Sequence, residues 1–283
     1  MNLPPLDVAR LLRSHGLAPR KSLGQNFLTD PAALQRIVEA AEIEPSSIVL
    51  EIGAGLGSLT RCLAAVCRQV IAVELDGTLI PLLKMVLAPY PNVQIIQGDI
   101  LEIPPGDLIK ADDYLVVANI PYYITSALIR HLLEAQHKPC RLVLTVQREV
   151  AQRICAMPGD LSLLALSVQV YGHAYPVARI PAGAFYPPPK VDSTTLRVDI
   201  YHQPRVPPDR LDVFFTLARA GFSQKRKTLR NSLSAGLRLS PVQVEELLSA
   251  ARIQPVRRAE TLSIEEWLAL VDQTIQSGVL TNR

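Results

Sequence analysis

Short apolar runs alternate with amphipathic stretches through the first half of the chain. SIVLEIG (47–53), QVIAVEL (69–75), VQIIQGD (93–99), YLVVAN (114–119) and RLVLTV (141–146) are mostly apolar rather than strictly alternating, which predicts strands covered on both faces. Between them, SLTRCLAAV (58–66), GTLIPLLKMVL (77–87) and SALIRHLLEA (126–135) are predicted helices. TDPAALQRIVEAA (29–41) has Asp30 as N-cap, Pro31 at the first helical position, and Leu34, Ile37, Val38 and Ala41 on one face. Such alternation predicts a parallel, doubly wound α/β sheet with right-handed crossovers. Further on, LSLLALSVQV (161–170) is predicted helical, HAYPVARI (173–180) is left unassigned, and STTLRVDI (193–200) alternates like a strand. HQPRVPP (202–208) is a linker by its prolines, and residues 209–283 hold several helical patterns and no strand candidate. The expected organisation is an α/β domain over residues 1–201 and a smaller, all-helical C-terminal domain over residues 209–283.

Composition narrows the class. A chain of 283 residues, 48% hydrophobic, can bury a full core. No stretch of about 18 uncharged apolar residues occurs and the first residues lack a long apolar region, so a soluble, untargeted, cytoplasmic protein with no membrane partner is expected. Cys62, Cys67, Cys140 and Cys155 lack paired metal-ligand spacing and are expected to be buried, reduced thiols. The five histidines show no close ligand spacing either, so no metal is expected. The net charge of +3 is unevenly spread: six Arg or Lys and no acid lie between Asp212 and Glu245. Lys225, Arg226, Lys227 and Arg230 form the densest cluster, with Arg20 and Lys21 a second, and a basic end of this kind suggests a polyanionic partner.

Candidate chemistry gathers at predicted strand ends, where open α/β sheets bind ligands. EIGAGLG (51–57) follows the first strand of the series, and Gly53 and Gly55 allow a ligand close to the backbone. A dinucleotide fingerprint needs a glycine at position 58, which is Ser58, so a diphosphate is disfavoured. Glu74 follows Gly53 by 21 positions, where an acid can accept from ribose hydroxyls, and Asp99 ends the next strand, where it can accept from an adenine amino group. Together these favour an adenosine ligand without a pyrophosphate, such as S-adenosylmethionine. In NIPYYIT (119–125), Asn119 and the carbonyl of Ile120, kept extended by Pro121, are two convergent acceptors that suit an exocyclic amine. Tyr122 offers a flat face for an unstacked base.

SLGQNFL (22–28), EIGAGLGSLT (51–60), NIPYYIT (119–125), AFYPPPKVDS (184–193) and FSQKRKTLRNSL (222–233) together resemble the ribosomal RNA adenine N6-dimethyltransferases, over about residues 21–261. The resemblance is to the bacterial members that dimethylate two adjacent adenines near the 3′ end of small-subunit rRNA. It implies a Rossmann-like S-adenosylmethionine-dependent methyltransferase sheet with a terminal antiparallel hairpin, followed by a helical domain that helps engage RNA. It further implies that Asn26 and Leu28 touch the cofactor, that Gly53, Glu74, Asp99 and Asn119 complete its pocket, and that Phe185 is a second aromatic on the other face of the adenine. The implied partner is small-subunit rRNA within an immature ribosomal subunit.

Two other readings remain open: a large-subunit rRNA adenine methyltransferase with the same chemistry, and a non-catalytic RNA-binding assembly factor. The KRKTLRNSL and RRAETLSIEEW segments favour the small-subunit enzyme over the first. Paired acceptors at Asn119 and Ile120 argue against the second, since binding alone does not require them.

Overall fold

The computed structural model describes residues 3–280. Among these, nine strands occur: β1 (Phe27–Leu28), β2 (Ile48–Ile52), β3 (Gln69–Glu74), β4 (Val93–Gln97), β5 (Leu115–Asn119), β6 (Arg141–Gln147), β7 (Gly172–Ile180), β8 (Phe185–Tyr186) and β9 (Ser193–Ile200). The chain forms two compact units, one from the residues up to Gln152 together with His173–Ile200, the other from Arg153–Gly172 together with the chain from Tyr201 onward. Residues 153–172, which the sequence pattern assigns to the first domain, thus group with the C-terminal helices.

The first unit is built on a seven-stranded sheet in the order β4-β3-β2-β5-β6-β9-β7. β4, β3, β2, β5 and β6 run parallel, and β9 returns antiparallel to β6. The chain steps outward from β2 to β4 and then comes back to β5 on the other side of β2. A crevice opens at such a reversal, beyond the carboxyl ends of β2 and β5. The central strands are apolar on both faces because helices cover both: Val49, Leu50, Val116, Val117, Leu142 and Val143 have no exposed surface. Helix Pro31–Ala41 starts as predicted, with the Asp30 carboxylate accepting from the Ala33 amide at 2.7 Å, and buries Leu34, Ile37, Val38 and Ala41.

HAYPVARI is part of β7. Pro176 sits within this strand, which alternation alone could not assign; the position is tolerated because β7 lies at the edge of the sheet. β1 and β8 form a separate antiparallel pair, Phe27 facing Tyr186 and Leu28 facing Phe185.

The second unit is helical. Helices Leu211–Phe222, Leu229–Leu237, Pro241–Ala250 and Ile264–Ser277 pack with the shorter Leu163–Gln169. Two capping boxes set helix starts, Ser240 with Gln243 and Ser263 with Glu266. Fully buried Trp267 stacks on Phe222 at 6.0 Å between ring centroids. The four cysteines are free, yet only Cys67 is buried; Cys62 and Cys155 are half-buried and Cys140 is exposed, which corrects the expectation for these thiols. No helix among the described residues is long and apolar enough to cross a membrane.

Candidate active site

A cavity of about 190 Å³ opens at the reversal point of the first unit, lined by the ends of β2, β3 and β5, the loop after β4, and residues 23–27. Gly53 and Gly55 adopt φ of 76° and 58°, so the turn after β2 is open to non-glycine residues only with strain. A Cβ on Gly55 would also sit 3.0 Å from the Phe27 ring. The Gly53 amide bonds the Val73 carbonyl at 2.8 Å, which ties this turn to the end of β3.

Glu74 closes β3 and is 7% exposed, its carboxylate accepting from the Gly55 amide at 2.7 Å and the Asp76 amide at 2.8 Å. Burial pushes its pKa up; those two amide bonds oppose the shift without cancelling it. Each oxygen keeps a second lone pair for a ligand donor. Asp99 lines the cavity just beyond β4, with one carboxylate oxygen accepting from the Leu101 amide at 2.9 Å and the other left for a ligand. The next two residues, Ile100 and Leu101, add apolar wall. Beneath the glycine turn, Glu51 is 1% exposed, and burial, with the nearby Glu74 charge adding to it, pushes its carboxyl up to about 8.

On the other side, Asn119 ends β5 and donates through Nδ2 to the Asn26 carbonyl at 3.0 Å. That bond orients the amide and leaves Oδ1 as the acceptor. Asn26 in turn donates to the Gly24 carbonyl at 3.0 Å, which folds residues 24–26 beside the cavity. Tyr122 is half-buried in the wall, its hydroxyl 2.6 Å from Ser193 Oγ at the start of β9, and burial pushes its phenol pKa up.

Asn26, Gly53, Gly55, Glu74, Asp99, Asn119 and Tyr122 are therefore brought to one cavity. Leu28 and Phe185 are not. Side chains of consecutive strand residues point to opposite faces, so in the β1–β8 pair Phe27 reaches the cavity while Leu28 and Phe185, 3% and 4% exposed, turn into the hydrophobic core beneath it. In this structure Phe185 is a packing residue, and no face of its ring is open to a base.

Arg20, expected to meet RNA, also has a partner within the fold while its side chain stays half exposed. Its guanidinium bonds Asp76 at 3.0 Å, and Gln25 Nε2 bonds the other carboxylate oxygen at 2.8 Å. Asp76 is 2% exposed; burial pushes its pKa up, but bonds from Thr78 and Gln25 and the Arg20 charge outweigh that and hold it below the usual range. Arg20 thus fastens the segment that lines the cavity. Sequence reasoning missed Asp76, whose signal, an acid two positions after Glu74, equally describes a turn. Lys21 is exposed.

In the helical unit, Lys225, Arg226 and Lys227 stand exposed in the turn after helix Leu211–Phe222, rather than on a helix face. Arg230 pairs with Glu245 at 2.7 Å, which neutralises one charge of the cluster. Among the described residues no group of three or more His, Cys, Asp or Glu is placed to hold a metal ion.

Residues 16–276 match the family described as ribosomal RNA adenine dimethylase. The chain is 47% identical over 262 residues to the Ribosomal RNA small subunit methyltransferase A of Dehalococcoides mccartyi (strain CBDB1), covering 92% of this chain and 90% of that one. Among solved structures it is similar to a dimethyladenosine transferase from Plasmodium falciparum, with a TM-score of 0.77, 28% identity, and coverage of 89% of this chain and 98% of that one. It is similar also to the 23S rRNA methyltransferase ErmE, with a TM-score of 0.69, 29% identity, and coverage of 88% and 99%.

Proposed function

The chain belongs to the ribosomal RNA adenine dimethylase family, and from that premise we propose that it transfers methyl groups from S-adenosylmethionine to N6 of two adjacent adenines near the 3′ end of small-subunit rRNA. The substrate is the immature ribosomal subunit, the product N6,N6-dimethyladenine, and the place of action the cytoplasm.

The carrying observation is the orientation of Asn119. With Nδ2 engaged by the Asn26 carbonyl, Oδ1 is free to accept at the end of β5, beside the backbone carbonyl of Ile120. Two such acceptors hold the two hydrogens of an adenine amine and turn its lone pair out of conjugation with the ring. They also stabilise the positive charge that grows on nitrogen during attack, and preorganised groups of this kind are worth a few kcal/mol each. Both acceptors are neutral, so the amine is oriented without being protonated. Each transfer forms the N6–methyl bond as the sulfonium–methyl bond breaks, and the cationic nitrogen then releases one proton to solvent. After the first, N6 retains a single hydrogen, for which one acceptor suffices, so the same arrangement serves the second methyl.

S-adenosylmethionine, when bound, supplies a methyl group on a sulfonium, an excellent leaving group that requires neither a metal nor a covalent enzyme intermediate. The residues fit it. The glycine turn packs tightly, a Cβ on Gly55 standing 3.0 Å from the Phe27 ring, and its amide holds Glu74 in place; Glu74 accepts from the ribose hydroxyls, and Asp99 accepts from the adenine amino group. Asn26 lines the cavity beside the cofactor, and Asn119 bridges cofactor and target base, against which Tyr122 stacks, its ring held by Ser193. Positioning and electrostatics carry the rate. Lys225, Arg226, Lys227 and, at the other end of the chain, Lys21 bind phosphates.

Similarity to ErmE keeps a large-subunit adenine as the second reading. The test offers purified immature small and large subunits with methyl-labelled S-adenosylmethionine and maps the modified nucleotides. Label on two adjacent adenines of small-subunit rRNA is expected. Label confined to the large subunit would overturn the substrate, and no transfer to either would overturn the enzyme reading.

A further inference from the structure

We propose that Tyr123 is a stacking platform for the nucleotide next to the adenine being methylated, an inference that rests on the RNA substrate proposed above. Tyr122 and Tyr123 are consecutive in a short 3-10 turn, Tyr122–Ile124, and the turn sends them to different surroundings. Tyr122 is half-buried and its hydroxyl is bound to Ser193. Tyr123 is 61% exposed, yet it lines the same cavity.

The Tyr123 ring is backed on one side. Gly24, at φ 62°, lies against it so closely that a Cβ there would stand 3.3 Å from both the ring and Pro121. A side chain at position 24 would thus push on the ring or on the proline that shapes the acceptor turn. The ring is supported from below and open above, at the rim of the methyl-transfer cavity. An apolar surface of this size left in water contributes little to the fold and is suited to a flat partner.

The substrate supplies that partner. When one of two adjacent adenines is drawn out of its stack, its neighbour loses a stacking face at the same moment. A second aromatic one residue along from the first meets that bared face and offsets part of the cost of unstacking. Lys21 is exposed at the start of the turn Lys21–Leu23, just ahead of Gly24, where a cation suits the phosphate between two such nucleotides.

The test compares Tyr123→Ala and Tyr123→Phe on undermethylated small subunits, with cofactor affinity measured separately by calorimetry. Tyr123→Ala is expected to raise KM for the subunit by about 5- to 150-fold, the equivalent of one base–aromatic stack, with little change in S-adenosylmethionine affinity. Tyr123→Phe keeps the ring and is expected to restore binding. Subunits in which the neighbouring adenine is changed to uridine should show a similar loss, and combining that change with Tyr123→Ala should add little to it. Full additivity of the two losses, or an unchanged KM in Tyr123→Ala while Tyr122→Ala is impaired, would overturn the platform and leave the proposed function standing. Weakened cofactor affinity in Tyr123→Ala would make the ring a cofactor cover instead. Normal transfer by both alanine variants would remove the base-binding reading altogether.

Discussion

The two sides of the cavity are built from different chemistry. Toward β3 and β4 the acceptors are carboxylates, Glu74 and Asp99, braced by backbone amides, and burial raises the Glu74 pKa. At β5 the acceptors are an amide oxygen and a backbone carbonyl, and the neighbouring aromatic is held by a neutral hydroxyl pair. The contrast matches the two ligands proposed. A cofactor rich in hydroxyl and amino donors is gripped well by charge. A nucleophilic amine is better served by acceptors that orient its hydrogens without offering a strong base.

The comparison can be broken at several points. The largest effect expected is on the fold, from Phe185→Ala: a ring 4% exposed in the core should cost about 3–5 kcal/mol in denaturant unfolding. A normal unfolding midpoint with selectively lost methylation would return Phe185 to the base side. Next comes Asn119→Ala, which removes the oriented Oδ1. By analogy with the loss of a single preorganised group elsewhere, single-turnover methyl transfer should fall about 10²- to 10³-fold, with weaker cofactor binding as well. Near-normal transfer would show that the amide side contributes no catalysis.

On the carboxylate side, Glu74→Gln keeps the shape but replaces one oxygen with a donor. Calorimetry should show S-adenosylmethionine affinity reduced by about 1–3 kcal/mol, with the transfer rate at saturating cofactor affected less than in Asn119→Ala. Equal effects on both measurements would erase the division of labour.

Glu51, under the same side, sharpens it through pH. Its carboxyl is raised by burial from about 4.5 to about 8. Below about 4.5 the group is protonated whether the chain is folded or not, and its contribution to stability is fully present. As pH rises toward about 8, the unfolded chain releases a proton that the folded one keeps, so stability is lost across that window. Glu51→Gln should therefore gain stability relative to the parent between pH 5 and pH 8, followed by thermal unfolding at each pH. A constant difference would mean the group is ionised in the fold. The smallest effect expected is from neutralising Lys225 and Arg226 together. Each phosphate left without its cation should flatten the slope of log affinity against log salt by about 0.7 to 0.9, leaving cofactor affinity unchanged; an unaltered slope would remove this turn from the RNA interface.

Much of this was legible in the sequence because its causes are local. Near-continuous apolar runs identify buried strands, Asp30-Pro31 starts a helix, and Gly53 and Gly55 mark a tight turn wherever the rest of the chain goes. Motif residues at strand ends then converge through a general property of doubly wound sheets, which is why Glu74, Asp99 and Asn119 could be named together. HAYPVARI was not legible, since a proline inside a regular strand is tolerated at a sheet edge and not in the middle of a sheet, and edge position belongs to the whole sheet.

By itself, then, the chain's order of residues determined the alternation of strands and helices, the glycine turn, the acceptors after the strands and the acid-free basic segment near the C-terminus. Tertiary structure alone decided which way neighbouring side chains face. Residues next to one another along a strand or tight turn look the same to any local pattern, yet packing sends one to the cavity and the other to the core or to solvent. Thus Phe27 lines the cavity while Leu28 and Phe185 are interior, Arg20 is engaged by an aspartate 56 positions away, and Tyr122 is anchored to Ser193 while Tyr123 stands open at the rim. Partners so distant in sequence are chosen by the folded sheet, because only there do their side chains compete for the same space.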